Sequence, residues 1–340
     1  MKILFLYTEL AAYNFPCFNQ LIQQGNQVLV YCYPVNKEAP FNFNKVNINL
    51  INRFSVNDSE LLINAHNFNP DVIFCSGWKD KGYLKVCSKF RKSKTVIVGF
   101  DNQWSGSLKQ IMASWMRFYF IKPYFNYAWV PGILQEKFAS KLGFDKEHIL
   151  KGFYSADVAL FNNVYNSSKP CNKRFIFSGR YYDFKGLTDL WSAFIKLQNE
   201  SPNDWELWCL GTGDIIPIEH PKIKHFGFVQ PEQIPSIMKQ SDVFILPSKF
   251  EPWGVVVHEF AAAGFPLICS DCVGAATAFL QNDINGYTFK AGDVEHLKKL
   301  MSKFIEMSDQ DLNKMGAHSH SMAQQISPQT WVKTLYTVIN

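Results

Sequence analysis

The feature that most constrains this chain is an alternation that runs its length twice. Short, continuously apolar runs are separated by longer stretches with helical periodicity. In the first half the runs predict strands at Lys2–Thr8, Val28–Tyr33, Asp71–Ser76, Thr95–Phe100 and Tyr127–Val130, with helical patterns such as Pro16–Gln24, Glu60–Asn67 and Ile133–Leu142 between them. Strands that are apolar on both faces and separated by helices belong to βαβ units, whose strands are parallel and covered on both sides. At Phe161–Asn172 the text becomes "FNNVYNSSKPCN", rich in Asn, Ser and Pro, which reads as a linker. The alternation then restarts, with strands expected at Arg174–Ser178, Trp205–Leu210, Ile223–Val229, Asp242–Leu246, Pro266–Ser270 and Tyr287–Phe289. Helices are expected at Leu187–Asn199, Pro231–Gln240, Gly254–Ala263, Asp293–Met307 and Asp309–Gln324, and Ser327–Asn340 reads as a helix returning to the first domain. The fold class is therefore α/β with two doubly wound domains, 1–160 and 173–325, and a C-terminal segment 326–340.

Composition narrows the function classes. With 47% hydrophobic and 19% charged residues the chain can bury substantial cores. Its formal charge of +5 is scattered rather than gathered in a stripe, which argues against a nucleic-acid partner and suits a phosphorylated ligand or an anionic membrane surface. Cysteines such as Cys32, Cys75, Cys209 and Cys269 sit inside apolar runs and read as free thiols in a reducing compartment. Cys269 and Cys272 form a lone C-x-x-C without a second pair, too little for a metal site. The opening "MKILFLYTELAAYNF" has the flavour of a signal peptide, but Glu9 interrupts it and it reads as a first buried strand. No run reaches the roughly 18 apolar residues of a membrane span. A cytoplasmic protein, with the inner membrane face as an option, is the expectation.

In open parallel sheets ligands bind beyond the carboxyl ends of the strands, so two such domains facing each other across a cleft would place the functional groups there. The first junction, after Thr8, lacks G-x-G-x-x-G. In "SGRYYDFKGL" Arg180 and Lys185 flank a helix start, a combination suited to a diphosphate or, alternatively, two solvated loop cations. Gly211 and Gly213 in "GTGD" and Gly227 in "HFGFV" permit close backbone approach or a simple turn. In "SKFEPWGVVVHEFAAAGF" Glu251 lies on the loop, Gly254 lets the backbone approach, and Glu259 sits early on a helix, where its side chain leans back toward the carboxyl ends of the strands. A carboxylate there suits a vicinal diol. Gly274, Ala275 and Ala276 have almost no side chain, and their N–H groups suit an anion. Asp101 ends a strand in "VGFDNQWSG" and either faces the site or caps a turn, with Asn102 and Trp104 beside it. The single Asp-x-Asp, at Asp309 and Asp311, reads as a helix cap rather than a metal site. Residues 104–130 mix Trp115, Met116, Phe118, Tyr119 and Phe120 with Lys109, Arg117 and Lys122, either a surface for membrane contact or aromatics tucked between domains.

Taken in order, "SGRYYDFKG", "GTGD", "FGFV", "SDVFILPS", "EPWGVVVHE", "AAAGFPLICSD", "GAATAFL" and "NGYTF" resemble the C-terminal domain of glycosyltransferase family 4, the retaining group 1 glycosyl transferases of GT-B fold. The resemblance is strong from Phe177 to Phe289 and only architectural in the first half. It implies that Arg180 and Lys185 hold the donor diphosphate, Glu251 the donor-sugar hydroxyls and Glu259 the ribose. It implies further that Gly274, Ala275 and Ala276 lie beside sugar and phosphates, that Gly227, Phe228 and Val229 lie near the base, and that Asp101 approaches the acceptor. Two departures stand out: "TELAAYNFP" replaces the Gly-Gly loop common after the first strand, and Thr277 and Ala278 replace an acidic residue. The implied activity is transfer from a nucleotide sugar, a UDP- or GDP-sugar used as substrate with no cofactor and no metal, to a glycan or lipid-linked acceptor in polysaccharide or glycolipid synthesis. The rivals are a nucleotide-sugar epimerase on the same architecture and a non-catalytic sugar-nucleotide-binding protein.

Overall fold

A computed structural model describes residues 1–35, 40 and 48–339. The chain divides into two compact units, one formed by Met1–Ser155 with Pro328–Asn340 and one by Ala156–Ser327.

The first unit is a seven-stranded parallel sheet, in the order β3-β2-β1-β4-β5-β6-β7. Its strands are β1 (Lys2–Tyr7), β2 (Gln27–Cys32), β3 (Asn49–Asn52), β4 (Val72–Ser76), β5 (Thr95–Gly99), β6 (Tyr127–Val130) and β7 (Ile149–Lys151). Connecting helices are α1 (Asn14–Gln23), α2 (Asp58–Phe68), α3 (Lys81–Phe90), α4 (Leu108–Trp115), α5 (Arg117–Phe120) and α6 (Ile133–Lys141). β1 lies near the middle of the sheet, and Ile3, Leu4, Phe5 and Leu6 are fully buried. One sheet face packs Leu4, Ile73, Val98 and Phe138; the other packs Phe5, Phe18, Phe74 and Trp129. The second face is completed by the C-terminal helix, whose Trp331 stacks on Trp129 at 4.5 Å and donates its indole N–H to the Phe153 carbonyl at 2.8 Å. A buried indole N–H needs such a partner.

The second unit is a six-stranded parallel sheet, in the order β10-β9-β8-β11-β12-β13. It comprises α7 (Val158–Asn162), β8 (Arg174–Ser178), α8 (Leu187–Glu200), β9 (Glu206–Leu210), β10 (Ile223–His225), α9 (Ile234–Met238), β11 (Val243–Leu246), α10 (Val255–Ala262), β12 (Leu267–Ser270), α11 (Ala276–Phe279), β13 (Gly286–Phe289), α12 (Val294–Ile305) and α13 (Asp309–Ala323). α14 (Pro328–Tyr336) then packs on α1 of the first unit. Both sheets place the first strand of the unit inside the sheet and step outward in two directions, the doubly wound α/β arrangement.

Four readings differ from the sequence. The stretch 161–172 is no free linker: it begins inside α7 and is fastened to the second unit by Asp242, which accepts from the Asn172 and Arg174 N–H groups at 3.0 and 2.9 Å and pairs with Lys169 at 3.2 Å. The strand expected at Ile223–Val229 ends at His225, and Phe226–Val229 are loop. The edge strands β3 and β7 escape the apolar-run criterion because "NLIN" and "ILK" are too short and too polar to stand out. The C-terminal helix is shorter than Ser327–Asn340, whose last residue lies outside the described residues. The Asp309–Asp311 pair does serve capping: Ser308 Oγ accepts from the Asp311 N–H at 3.1 Å. Cys269 is buried and Cys272 half-buried, both as free thiols.

Candidate functional site

The carboxyl end of β8 runs into Gly179 and Arg180, then a single 3₁₀ turn, Asp183–Lys185, then Gly186 at the start of α8. Gly186 has φ +68°, and a Cβ there would stand 2.1 Å from the Pro247 carbonyl oxygen after β11. Glycine is therefore what lets the β8 and β11 loops touch. The contact brings Lys185 from one loop to Glu251 from the other. Their ammonium and carboxylate pair directly, with both side chains largely buried. Ser248 Oγ, fully buried, donates to the same carboxylate oxygen at 3.3 Å, and the Ser248 carbonyl in turn accepts from Ser270 Oγ at the end of β12. A buried pair of this kind is tolerated only when both charges have partners.

The Glu251 backbone is fixed as well. Its carbonyl accepts from the Gly274 N–H at 3.0 Å, the Trp253 carbonyl accepts from Ala275 at 2.8 Å, and the Val273 carbonyl accepts from Ala276 at 3.2 Å. The cradle expected from these three N–H groups is thus not formed. Each already donates to a carbonyl, and the small residues serve instead to let the β12–α11 loop lie against the Glu251 loop. Gly254 begins α10.

A second cluster lies at the ends of β8, β9 and β10. Gly211 has φ +132°, and a Cβ would stand 1.9 Å from the Gly179 carbonyl oxygen. Its N–H donates to the Gly227 carbonyl at 2.7 Å, and the Tyr181 N–H donates to Thr212 at 2.8 Å. Tyr181 OH bonds His225 Nδ1 at 3.0 Å, and a Cβ at Gly213 would stand 2.5 Å from the Tyr181 carbonyl oxygen. The Arg180 guanidinium lies 5.5 Å over the Tyr182 ring, a cation–π contact. Phe228 and Val229 follow Gly227, half-buried.

Glu259 is half-buried on α10, and burial, with Asp157 nearby, pushes its carboxyl up to about 7. Its neighbour His258 is fully buried and shifted the other way, to about 4, because burial disfavours the cation. His258 Nδ1 accepts from the Ala156 N–H at 3.1 Å, and Nε2 donates to the Ala323 carbonyl at 2.9 Å, so the ring ties α10 to both ends of the unit.

Asp101 belongs to the first unit, just beyond β5, and accepts from Tyr154 OH at 3.3 Å. Tyr154 in turn meets Tyr13, beyond β1, edge-to-face at 5.4 Å. Burial raises the Tyr154 hydroxyl well above its ordinary range, so it stays a donor. Thr8 and Ser76 join the ends of β1 and β4 through an N–H···Oγ bond of 2.8 Å.

The structure therefore gathers Lys185, Glu251, Gly254 and Gly274 into one cluster and Gly211, Gly213 and Gly227 into another, while Asp101 has its own setting with Tyr154. Ser248, Ser270, Tyr181, His225, His258 and Tyr154 were not legible as site residues. Each is a common residue whose place depends on partners distant in sequence, except Ser248, three residues before Glu251. Among the described residues no three His, Cys, Asp or Glu side chains gather as metal ligands would.

Residues 166–321 match the family described as Glycosyl transferases group 1. An uncharacterized glycosyltransferase of Methanocaldococcus jannaschii is 30% identical over 124 residues, 34% of this chain and 31% of that protein. An uncharacterized glycosyltransferase of Haemophilus influenzae is 23% identical over 39% of this chain and 40% of its own length. The match thus spans well under half of these curated relatives. Among solved structures, Anabaena HepE in complex with UDP and glucose superposes with a TM-score of 0.75 at 14% identity, covering 100% of this chain and 99% of that one. The lipopolysaccharide outer core galactosyltransferase WaaB gives 0.68 at 14% identity, covering 100% and 99%. The fold is the GT-B fold of two Rossmann-like units, and the second unit carries the sequence pattern of the group 1 glycosyl transferases.

Proposed function

We propose that the chain is a retaining glycosyltransferase that moves a hexosyl or related residue from a UDP- or GDP-sugar to a hydroxyl of a glycan or lipid-linked acceptor, in the synthesis of a cell-surface polysaccharide or glycolipid. The observation that carries this reading is the buried Lys185–Glu251 pair at the carboxyl ends of β8 and β11, inside the stretch that matches the family. HepE was solved with UDP-glucose as well as UDP, which supports a nucleotide-sugar donor.

In this reading Arg180 and Lys185 neutralise the donor diphosphate, Glu251 accepts from sugar hydroxyls, Glu259 from the ribose diol, and Gly227–Val229 border the base. Lys185 then exchanges one carboxylate partner for a phosphate, so its charge is never left unpaired. The acceptor oxygen bonds to the anomeric carbon on the face from which the nucleotide leaves. The bond from that carbon to the phosphate oxygen breaks, and the departing phosphate takes the acceptor proton. The two cations stabilise the charge on the leaving diphosphate, so no metal is assigned a role. In the same reading Asp101 serves the acceptor.

Nucleotide release is measured with and without acceptor on folded Lys185→Ala. A drop in kcat of about 10²–10³-fold is expected, the usual cost of removing one preorganised charge at a developing anion. Undiminished turnover in the folded variant overturns the assignment, and nucleotide-sugar isomerisation without release would identify an epimerase. A thermal-shift screen over UDP, GDP and dTDP identifies the base, because the nucleotide with the lowest Kd stabilises the fold most at equal concentration.

A further inference from the structure

Helix α4 is built inside out. Its one buried residue is Ser114, whereas Leu108, Met112 and Trp115, spaced i, i+4, i+7 on one face, are 82, 58 and 77% exposed. The chain then continues into α5, where Phe118, Tyr119 and Phe120 are 60, 75 and 53% exposed. A soluble protein scatters single apolar residues over its surface, but a contiguous run of this kind marks a binding surface.

The charges around it identify the occupant. Between Asp101 and Glu136 there is no acidic residue, while Lys109, Arg117 and Lys122 are all present. Arg117 and Lys122 lie together under Gly143. Lys122 also lines an open cavity of about 840 Å³ with Arg91, Lys92 and Lys94, set against Asp71 and Asp145. That cavity sits at the amino ends of β4, β5 and β6, the opposite edge of the sheet from Asp101. Exposed aromatic side chains in a segment that carries three cations and no acid, beside a cavity where four cations face two carboxylates, match the headgroup and acyl boundary of an anionic bilayer. Tryptophan and tyrosine favour that boundary because each has an apolar body and a polar tip.

We propose that α4 and α5 dock the protein on anionic phospholipid bilayers, with the aromatic residues inserted at the headgroup level and Lys109, Arg117, Lys122 and the adjoining basic cavity against the lipid phosphates. No helix among the described residues is long and apolar enough to cross a membrane, so the contact is interfacial. The inference stands apart from the sugar-transfer reading and is tested without an activity assay.

The full chain is sedimented with vesicles of phosphatidylcholine alone and with vesicles that also contain phosphatidylglycerol, at low and high salt. Three proteins are compared: wild type, the triple variant Trp115→Ser, Phe118→Ser, Tyr119→Ser, and the pair Lys109→Glu, Lys122→Glu. Wild type is expected to pellet with the anionic vesicles, less so as salt rises, with a blue shift in tryptophan emission. Each variant should weaken partitioning by about tenfold or more at an unchanged melting temperature. Absence of vesicle binding overturns the proposal, as does equal binding to neutral vesicles or equal binding by all three proteins. A concentration-dependent dimer that the triple variant abolishes, without vesicle binding, would assign the surface to a second copy of the chain.

Discussion

At the carboxyl end of the second sheet the loops are held by backbone contacts: Gly186 against the Pro247 carbonyl, Gly211 against the Gly179 carbonyl, and Gly274 hydrogen-bonded to the Glu251 carbonyl. At the corresponding end of the first sheet one such backbone bond joins β4 and β5, from the Gly77 N–H to the Gly99 carbonyl at 2.8 Å, but the polar side chains there carry the other contacts, with Tyr154 OH on Asp101 at 3.3 Å and the Thr8 N–H on Ser76 Oγ at 2.8 Å. Backbone-to-backbone contact demands glycine at fixed positions, so it leaves a fixed motif. Side-chain contact can be made by many residue pairs and leaves none. Under the proposed function, a donor built from invariant parts, phosphates and a ribose, would suit the first kind of wall, and an acceptor would suit the second.

The largest effect should come from closing the space that glycine leaves. Gly211→Ala would put a methyl 1.9 Å from a backbone oxygen at φ +132°, whereas Gly227→Ala, at φ +68°, would meet nothing within 4 Å. Two substitutions of the same chemistry thus separate the clash from the backbone strain. Gly211→Ala is expected to cost about 3 kcal/mol or more, and Gly227→Ala about 1 kcal/mol. Thermal melts read this as losses of roughly 10 and 3 °C in a unit of this size. Equal losses would show that the Gly179–Gly211 contact does not hold the loops.

The next comparison lies within two residues. His258 is held neutral and Glu259 is held protonated, so their linkages run in opposite directions over nearly the same pH range. The unfolded chain binds a proton at His258 from about pH 6.5 downward and the folded chain only near 4, so that residue's contribution falls as pH drops through this window. Glu259 releases its proton at about 4.5 unfolded and about 7 folded, so its contribution falls as pH rises from 4.5 to 7. Together they flatten the profile. Glu259→Gln, a neutral isostere, removes one arm: relative to wild type, the variant should gain stability as pH rises from 4.5 to 7 and stay level above. The gain, discounted for partial exposure, is about 1–2 kcal/mol. The same variant should bind nucleotide about tenfold more weakly at pH 8, and wild-type affinity should rise as pH passes 7 and the carboxylate ionises to accept from a diol. A stability difference that does not change with pH would mean that Glu259 is solvated and ionised throughout.

What the sequence disclosed follows the same division. The strands that cross the middle of each sheet, such as "KILFLY" and "VFIL", are buried on both faces and announce themselves by continuous apolarity. The edge strands "NLIN" and "ILK" have one side open and carry no such signal. Lys185, Glu251 and the glycines were legible because close approach and charge pairing restrict the residue type. The backbone N–H groups of Gly274–Ala276 were misjudged, since nothing in "GAA" tells which carbonyls those donors will meet. His258 was invisible for a related reason. Its two partners are the N–H of Ala156 and the carbonyl of Ala323, and a backbone group leaves no imprint on residue identity.

The smallest effect belongs to the side-chain wall. Tyr154, half-buried, donates to Asp101 at a distance where a neutral donor and a carboxylate make only a modest bond. Tyr154→Phe keeps the ring, and with it the contacts to Tyr13 and Phe153, and removes the donor alone. Stability should fall by about 1 kcal/mol, the usual net value of one such bond. Donor-nucleotide affinity should stay unchanged, because every residue assigned to the donor lies in the other unit. If Asp101 approaches the acceptor, the loosened carboxylate should raise the acceptor KM about two- to fivefold and leave the donor KM alone. An equal rise in both constants, or a fall in nucleotide affinity, would break the division of labour between the two sheets and move Asp101 to the donor side.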